Sequence, residues 1–476
     1  MSYPFEPLPP AGRRPGDGLP SEVAGAEAAE IAVVRRIRRD VAERLTRETR
    51  AHETATGTPM PAGEQQAATH RLITDALDAY ATAEMNAGRP PLRPAAESRV
   101  ARAVADMLLG AGGLQPLLND ERVEDIHANG FDQVFVRYTD GTCRQVAPIA
   151  DSDAEMVELI RRLAADAGRA ETGGEGAEER RWDRAAPILK LQLPDGSRLH
   201  AVMSVTRRPA LSIRRHGYIK VTLADLEQLG TLNPLLRELF AAAVRARLNT
   251  LVAGRTGAGK TTLLRALGSV IDPDERIVTI EDTYELALDV DKALHPDVVA
   301  MQSREANVEG EGAIDMSELF RSGLRMSPDR VIVGEIRGHE VIPMLNAMSQ
   351  GNDGSLGTIH ASSSAGVFKK LALYAAQSPE RLEPATTNLL VAEAVHLVVH
   401  LGFGDNGRRV VTSVREVVDA DGLSVASNEI LRPGPDGRAV PGSPLSTGLL
   451  SMLSGAGFDP RLLEDARTAP GGGWMS

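Results

Sequence analysis

The chain has 476 residues, of which 42% are hydrophobic, 25% charged and 3% aromatic. Those are ordinary values for a globular protein, and they exclude a wholly disordered, collagen-like or mucin-like chain. The formal net charge of −12 argues against a general nucleic-acid binder, which carries a basic excess, and the lone cysteine, Cys143, excludes an internal disulfide framework or a multi-cysteine metal site.

A single cysteine fits a reducing compartment. No apolar run approaches the roughly 18 to 20 residues that span a bilayer. The first residues lack the apolar stretch of a secretory signal, so the expected location is cytoplasmic. Residues 1–20, rich in Pro, Gly and charge, are read as a disordered arm. Over 21–50, Ile31, Val34, Ile37, Val41 and Leu45 recur at helical spacing. Arg35, Arg36, Arg38, Arg39, Arg44, Arg47 and Arg50 fill the rest of the turn. Interruption by Asp40, Glu43 and Glu48 favours a solvated surface helix over a basic amphipathic one that meets a membrane or partner. A second helix is expected over 64–87, and GRPPLRP at 88–94 breaks the pattern.

From residue 95 helices alternate with short strands: helix at 95–110, strand at 134–138, helix at 153–167, a polar loop at 171–179, and strands at 198–205 and 210–215. This predicts a small α/β domain over 95–216, after an extension over 1–94. A linker over 217–232 contains a helix at 222–229. Strands then recur at 248–253, 276–281, 330–334, 355–359 and 394–401, with helical segments between most of them. That rhythm predicts an α/β domain over 233–432, a mostly parallel sheet with helices on both faces. The Gly/Pro-rich residues 433–476 read as an appended tail.

The most specific motif is NTLVAGRTGAGKTTLLRAL at 249–267. Gly254, Gly259, Lys260 and Thr261 fit the phosphate-loop pattern G-x-x-x-x-G-K-[ST], between an apolar strand and a helix. Glycines let the backbone wrap around phosphate oxygens, and the helix start offers free N–H groups and a positive dipole end. Gly254, Thr256, Gly257, Ala258, Gly259, Lys260, Thr261 and Thr262 are therefore the expected binding set for a nucleoside triphosphate. Within it Lys260 would reach the β- and γ-phosphates and Thr261 would ligate Mg²⁺.

Hydrolysis needs carboxylates that hold Mg²⁺ and act on water. RIVTIEDTYEL at 276–286 puts Glu281 and Asp282 at a strand end, with Glu285 one helical turn onward, and RVIVGEIRG at 330–338 delivers Glu335 from another. Both ends open onto the sheet edge where the phosphate loop sits. Glu281 is expected as the base, and Glu335 on the Mg²⁺ side with Thr261 and Asp282. GSLGTIHA at 354–361 brings His360 to the same edge, where it could contact the γ-phosphate or report its loss to the next element. Arginines stabilise charge on a transferring phosphoryl group; the candidates are Arg214, Arg215, Arg304 and Arg337, which spacing alone does not rank.

These four motifs in this order resemble the secretion-superfamily ATPases that drive type II secretion, type IV secretion and pilus assembly. There they correspond to Walker A, Asp box, Walker B and His box. The likeness is greatest to the CpaF-like branch, which powers tight-adherence (Flp-type) pili, on VEDIHANGFDQVFVR at 123–137, LPDGSRLHAV at 193–202, ALSIRR at 210–215 and ANVEGEGAIDMSELFRSGLRMSPDR at 306–330. The resemblance implies an ATP- and Mg²⁺-dependent motor with a RecA-like domain, working as a homo-hexameric ring. It implies docking on an inner-membrane platform protein, and arginines matching Arg214, Arg215 and Arg304 that reach phosphates within or between subunits. Three departures stand out. Ser303-Arg304-Glu305-Ala306-Asn307 replaces the usual T-R-P-P-N, Asn352 stands where His often precedes Asp-Gly, and the stretch from Val202 to Ala210 is short. Two other readings are kept, a nucleic-acid-translocating motor and a nucleotide-gated assembly protein that does not hydrolyse.

Overall fold

The computed structural model describes residues 21–58, 60–172, 182–215, 220–304, 311–405 and 407–468. The arm expected at 1–20 and residues 173–179 of the polar loop lie outside them. The chain divides into two compact units, 1–183 with 201–213, and 184–200 with 214–476.

The first unit opens with helices α1 (Ser21–Thr56), α2 (Ala62–Asn86) and α3 (Pro94–Leu109). The periodic apolar residues of α1, Val33, Val34, Ile37, Val41 and Leu45, form one core with Leu72, Ile73, Ala76 and Leu77 of α2 and Val100 and Val104 of α3. Arg38 bonds Asp151 and Glu155, and Arg36 lies 5.5 Å from the Tyr80 ring centroid. The apolar stripe is spent inside a three-helix bundle, so the charged side of α1 is what remains for solvent. Then come α4 (Gln115–Asn119), β1 (Val123–Asn129), β2 (Val134–Tyr138), β3 (Cys143–Val146) and α5 (Asp153–Thr172), with β1, β2 and β3 pairing antiparallel. In chain order β4 (Ile188–Gln192), which belongs to the second unit, β5 (Arg198–Val202), whose residues divide between the two, and β6 (Ala210–Arg214) follow. Between β5 and β6 the short turn is held by Arg208, which bonds Asp153, and Ser204 takes a left-handed φ of 65° there.

The second unit continues with α6 (Leu223–Gln228), α7 (Pro234–Arg245), β7 (Thr250–Gly254), α8 (Lys260–Gly268), β8 (Ile277–Glu281), β9 (Val298–Gln302), α9 (Met316–Gly323) and β10 (Arg330–Ile336). After these come α10 (Val341–Ser349), β11 (Leu356–His360), α11 (Gly366–Gln377), α12 (Pro384–Ala394), β12 (Leu397–Phe403), β13 (Arg409–Ala420), β14 (Val425–Pro433), β15 (Ala439–Pro441), α13 (Thr447–Gly455) and α14 (Arg461–Thr468). Among the described residues its sheet has nine strands in the order β15-β14-β13-β12-β7-β11-β10-β8-β9. From β12 to β9 the pairing is parallel, and from β12 to β15 antiparallel. The central strands are apolar on both faces, and each face is a separate core. One is built on Leu239, Phe240, Leu263 and Leu264, the other on Phe320, Leu345, Val367 and Val391. The mixed α/β architecture is the one expected from the strand–helix rhythm.

The stretch expected as an appended tail differs. β15 pairs with β14, and Leu449, Leu453, Phe458 and Ala466 are buried in the same core as the phosphate-loop helix. Its glycines and prolines mark turns between these short elements. Among the described residues no helix is long and apolar enough to cross a membrane.

Candidate nucleotide site

Parallel pairing brings the carboxyl ends of β8, β10, β11 and β7 to one edge. His360 is opposite Gly254, and Val333 opposite Ile280. Helix α6 starts with a capping box from Thr222 and Asp225, α7 with an Asn233 cap and α9 with an Asp315 cap. Helix α8 has no side-chain cap, only Gly259 at a left-handed φ of 93°. A helix start without a side-chain cap favours an anion, and this one lies at the edge where the strands end. A Cβ at Gly257, φ 76°, would meet nothing within 4 Å. Gly254, Arg255 and Thr256 line an open cleft of about 660 Å³ together with His360, Ala361, Ser362 and Phe403. Ala258 is buried and Thr262 half-buried at the root of the loop.

Lys260 Nζ lies 3.4 Å from Arg255 O and 3.3 Å from His360 Nδ1. An ammonium only donates, so Nδ1 accepts and His360 is the neutral Nε2–H tautomer. Its Nε2 is 2.5 Å from Glu335 Oε1. Burial pushes the His360 pKa down, with Lys260 and Arg337 adding to that and Glu335 opposing. Burial also lowers the Lys260 pKa, Arg337 and Arg214 press it the same way, and Glu335 resists. Lys260, His360 and Glu335 thus lie in a row of which His360 lines the cleft, with Arg337 bonding both Glu335 and Asp282.

Glu281 is placed differently from its expected role at water. It is 1% exposed. Its Oε2 accepts from the backbone N–H groups of Glu285, at 2.7 Å, and Leu286, at 2.9 Å, while Thr279 Oγ1 lies 3.3 Å from Oε1. Burial raises its pKa to about 7, against those bonds and the nearby Arg265. Gly334 permits this packing, since a Cβ there would stand 3.0 Å from Glu281 Cγ.

The expected metal group is also rearranged. Asp282 bonds Ser303 and Arg337, and Thr261 Oγ1 donates instead to Glu285 Oε2 at 3.0 Å. Arg198 pairs with the other oxygen of Glu285, and Arg265 donates to its carbonyl. Among the described residues no group of three or more His, Cys, Asp or Glu could hold a metal. One hydroxyl beside one carboxylate fits Mg²⁺ bound chiefly through phosphates and water.

Of the candidate arginines, Arg214 acts electrostatically on Lys260 and Arg198. Arg215 is half-buried just past β6. Arg304 donates to Gly312 O at 2.7 Å within a bridge to Ile314, and residues 305–310 of that loop lie outside the described ones. Asn352 bonds Pro328 O. Sequence reasoning missed Arg198, whose only signal was a basic residue in the turn LPDGSR, and it left Glu285 without a role.

The family model for type II/IV secretion system proteins matches residues 108–412, more than half of the chain. A putative conjugal transfer protein of Mycobacterium tuberculosis is 37% identical over 329 residues, covering 67% of this chain and 88% of that one. The type IV secretion system protein PtlH of Bordetella pertussis is 31% identical over 333 residues, covering 63% and 92%. The crystal structure of the VirB11 ATPase from the Brucella suis type IV secretion system, in complex with sulphate, covers 63% of this chain and 94% of that one, at 26% identity and a TM-score of 0.33. The chain belongs to the type II/IV secretion system ATPase family.

Proposed function

We propose that the chain is the ATP-hydrolysing ring motor of a pilus-assembly or secretion machine, in the tight-adherence branch of its family. It acts at the cytoplasmic face of the inner membrane on a platform partner. The observation that carries the nucleotide reading is the run from Lys260 through His360 to Glu335 beside an uncapped phosphate-loop helix. Lys260 and the N–H groups of α8 bind the phosphates, and Thr261, next to Glu285, meets Mg²⁺. The metal supplies charge neutralisation on the β- and γ-phosphates. Glu335, bonded by Arg337 and next to His360 of the open cleft, is the carboxylate that orients and deprotonates water. Glu281, enclosed and satisfied by backbone N–H groups, braces the 281–286 turn. Support for a secretion or pilus role comes from the family and from relatives named for conjugal transfer and type IV secretion. A hexamer, with Arg214, Arg215 or Arg304 completing sites across subunits, follows from the motif resemblance.

The test is Mg²⁺-dependent ATP turnover per chain across a wide protein concentration range, with Lys260→Ala as blank. Specific activity should rise with concentration as rings complete their sites. Glu335→Gln should bind ATP normally and lose roughly 10²-fold or more in turnover, as for removal of a general base. Glu281→Gln should keep turnover within about tenfold. The reverse ranking of the two variants would return the base role to Glu281.

A further inference from the structure

At the end of β12, Phe403 pairs with Arg409 at the start of β13, and both residues reach the phosphate loop. Phe403, half-exposed, lines the cleft beside Gly254, Arg255 and Thr256. Arg409 Nε donates to the carbonyl oxygen of Gly257 at 2.8 Å. Its Cδ lies 3.5 Å from the point where Gly259 would carry a Cβ.

The peptide joining Gly257 to Ala258 is therefore held from two sides. Ala258 N donates to Arg255 O at 3.2 Å, closing a four-residue turn with Gly257, φ 76°, at its third position. A positive φ there is the signature of a type II turn and selects glycine. A trans peptide points its C=O opposite to its N–H. With Ala258 N–H turned in to Arg255 O, the Gly257 carbonyl faces outward, where Arg409 meets it. Arg255 O also receives Lys260 Nζ at 3.4 Å. The orientation of one peptide and the resting place of the phosphate-binding lysine thus meet at one carbonyl.

We infer that Arg409 is a positioning residue for the phosphate loop: it fixes the 257–258 peptide, and with it the seat of the triphosphate, and takes no part in the chemistry. The inference rests on the nucleotide reading of this cleft. A guanidinium suits the task because it stays charged and presents planar donors at a fixed angle. A charge-assisted bond to a carbonyl is also stronger than a neutral one. Arg409 is only half-buried, so its replacement opens no cavity in either core.

The experiment compares the full chain with Arg409→Gln and Arg409→Lys. It measures affinity for ATP and for inorganic tripolyphosphate by displacement of a fluorescent ADP, together with kcat, KM and the ligand-free melting temperature. Arg409→Gln should weaken both ligands by about five- to tenfold and raise KM alike, with kcat within about twofold and melting within about 2 °C. Arg409→Lys keeps the charge but lacks the Nε–H, and should behave more like Gln than like the parent. Weakened ATP with unaltered tripolyphosphate would overturn the inference, because Arg409 would then meet the base or ribose. Unchanged affinity, a loss in kcat alone, or a melting loss of many degrees would overturn it too. Lys260→Ala separates the two layers. If that variant binds both ligands as the parent does, the nucleotide reading fails. If it loses them while Arg409→Gln keeps them, only the role of Arg409 fails.

Discussion

Lys260 and Glu281 are both buried, and burial acts on both by disfavouring charge, so it lowers one pKa and raises the other. For Lys260 the remedy is an anion. Phosphate oxygens at the start of α8 would supply the countercharge that Glu335 only partly provides, and Lys260→Ala should abolish measurable nucleotide binding in a titration that saturates for the parent. For Glu281 the effect appears as stability. Its pKa of about 7 exceeds the ordinary 4.5, so across that window the folded chain binds more protons than the unfolded one. Stability contributed by the protonated carboxyl is then present below the ordinary value and is lost as pH rises through the folded pKa. Glu281→Gln keeps a neutral acceptor for the N–H groups of Glu285 and Leu286 and has no proton to lose. It should match the parent near pH 5 and exceed it near pH 8 by on the order of 2 kcal/mol, read from urea midpoints. Equal pH slopes for the two proteins would refute this account.

At the scale of elements, the chain shows where backbone groups are satisfied locally and where they are left for something else. Asn233, Thr222, Asp315 and Ser446 each cap the helix that follows, whereas α8, like α2, α3, α10, α11 and α12, has no side-chain cap, and its start lies on the edge where four strands end. The strand that delivers the phosphate loop is anchored at its other end by Asn249, which is fully buried. Asn249 Nδ2 donates to Met348 O at 2.9 Å and Ala394 O at 2.7 Å, and its Oδ1 accepts from Ser355 N at 2.9 Å. It thereby joins β7 to the ends of α10 and α12 and to the turn before β11. Asn249→Ala would strand two carbonyls and an N–H in the core, and should cost about 3 kcal/mol in an unfolding titration. A cost under about 1 kcal/mol would mean that water or local movement replaces those bonds.

At the scale of the whole molecule, each unit buries its own apolar residues, and the last described helices belong to one of the two cores of the second. Leu453 of α13 is fully buried with Leu239, Phe240 and Leu264. Leu453→Ala should lower stability by about 2–5 kcal/mol, as for other buried leucines, and shift the unfolding transition of the nucleotide-binding unit. Unchanged unfolding would show that the α13–α14 segment contributes nothing to that core. Such integration was invisible in a Gly/Pro-rich sequence, because composition reports turns and says nothing of what the short helices between them pack on.

Local signals determined a good deal by themselves. The phosphate loop, the strands ending in Glu281, Glu335 and His360, the break at 88–94 and the helical period of α1 are all legible, since each depends on residue type at fixed spacing. Tertiary structure decided the rest. Whether the apolar stripe of α1 faced a membrane or two other helices turned on α2 and α3. Which of two strand-end glutamates lies beside His360 depended on the turn at 281–286, whose N–H groups enclose Glu281 and leave Glu335 next to that histidine. Arg198 and Arg409 lie 62 residues before Lys260 and 149 after it. Only the folding of their strands brings one to Glu285 and the other to Gly257, and a one-dimensional pattern holds no record of a contact made across such distances.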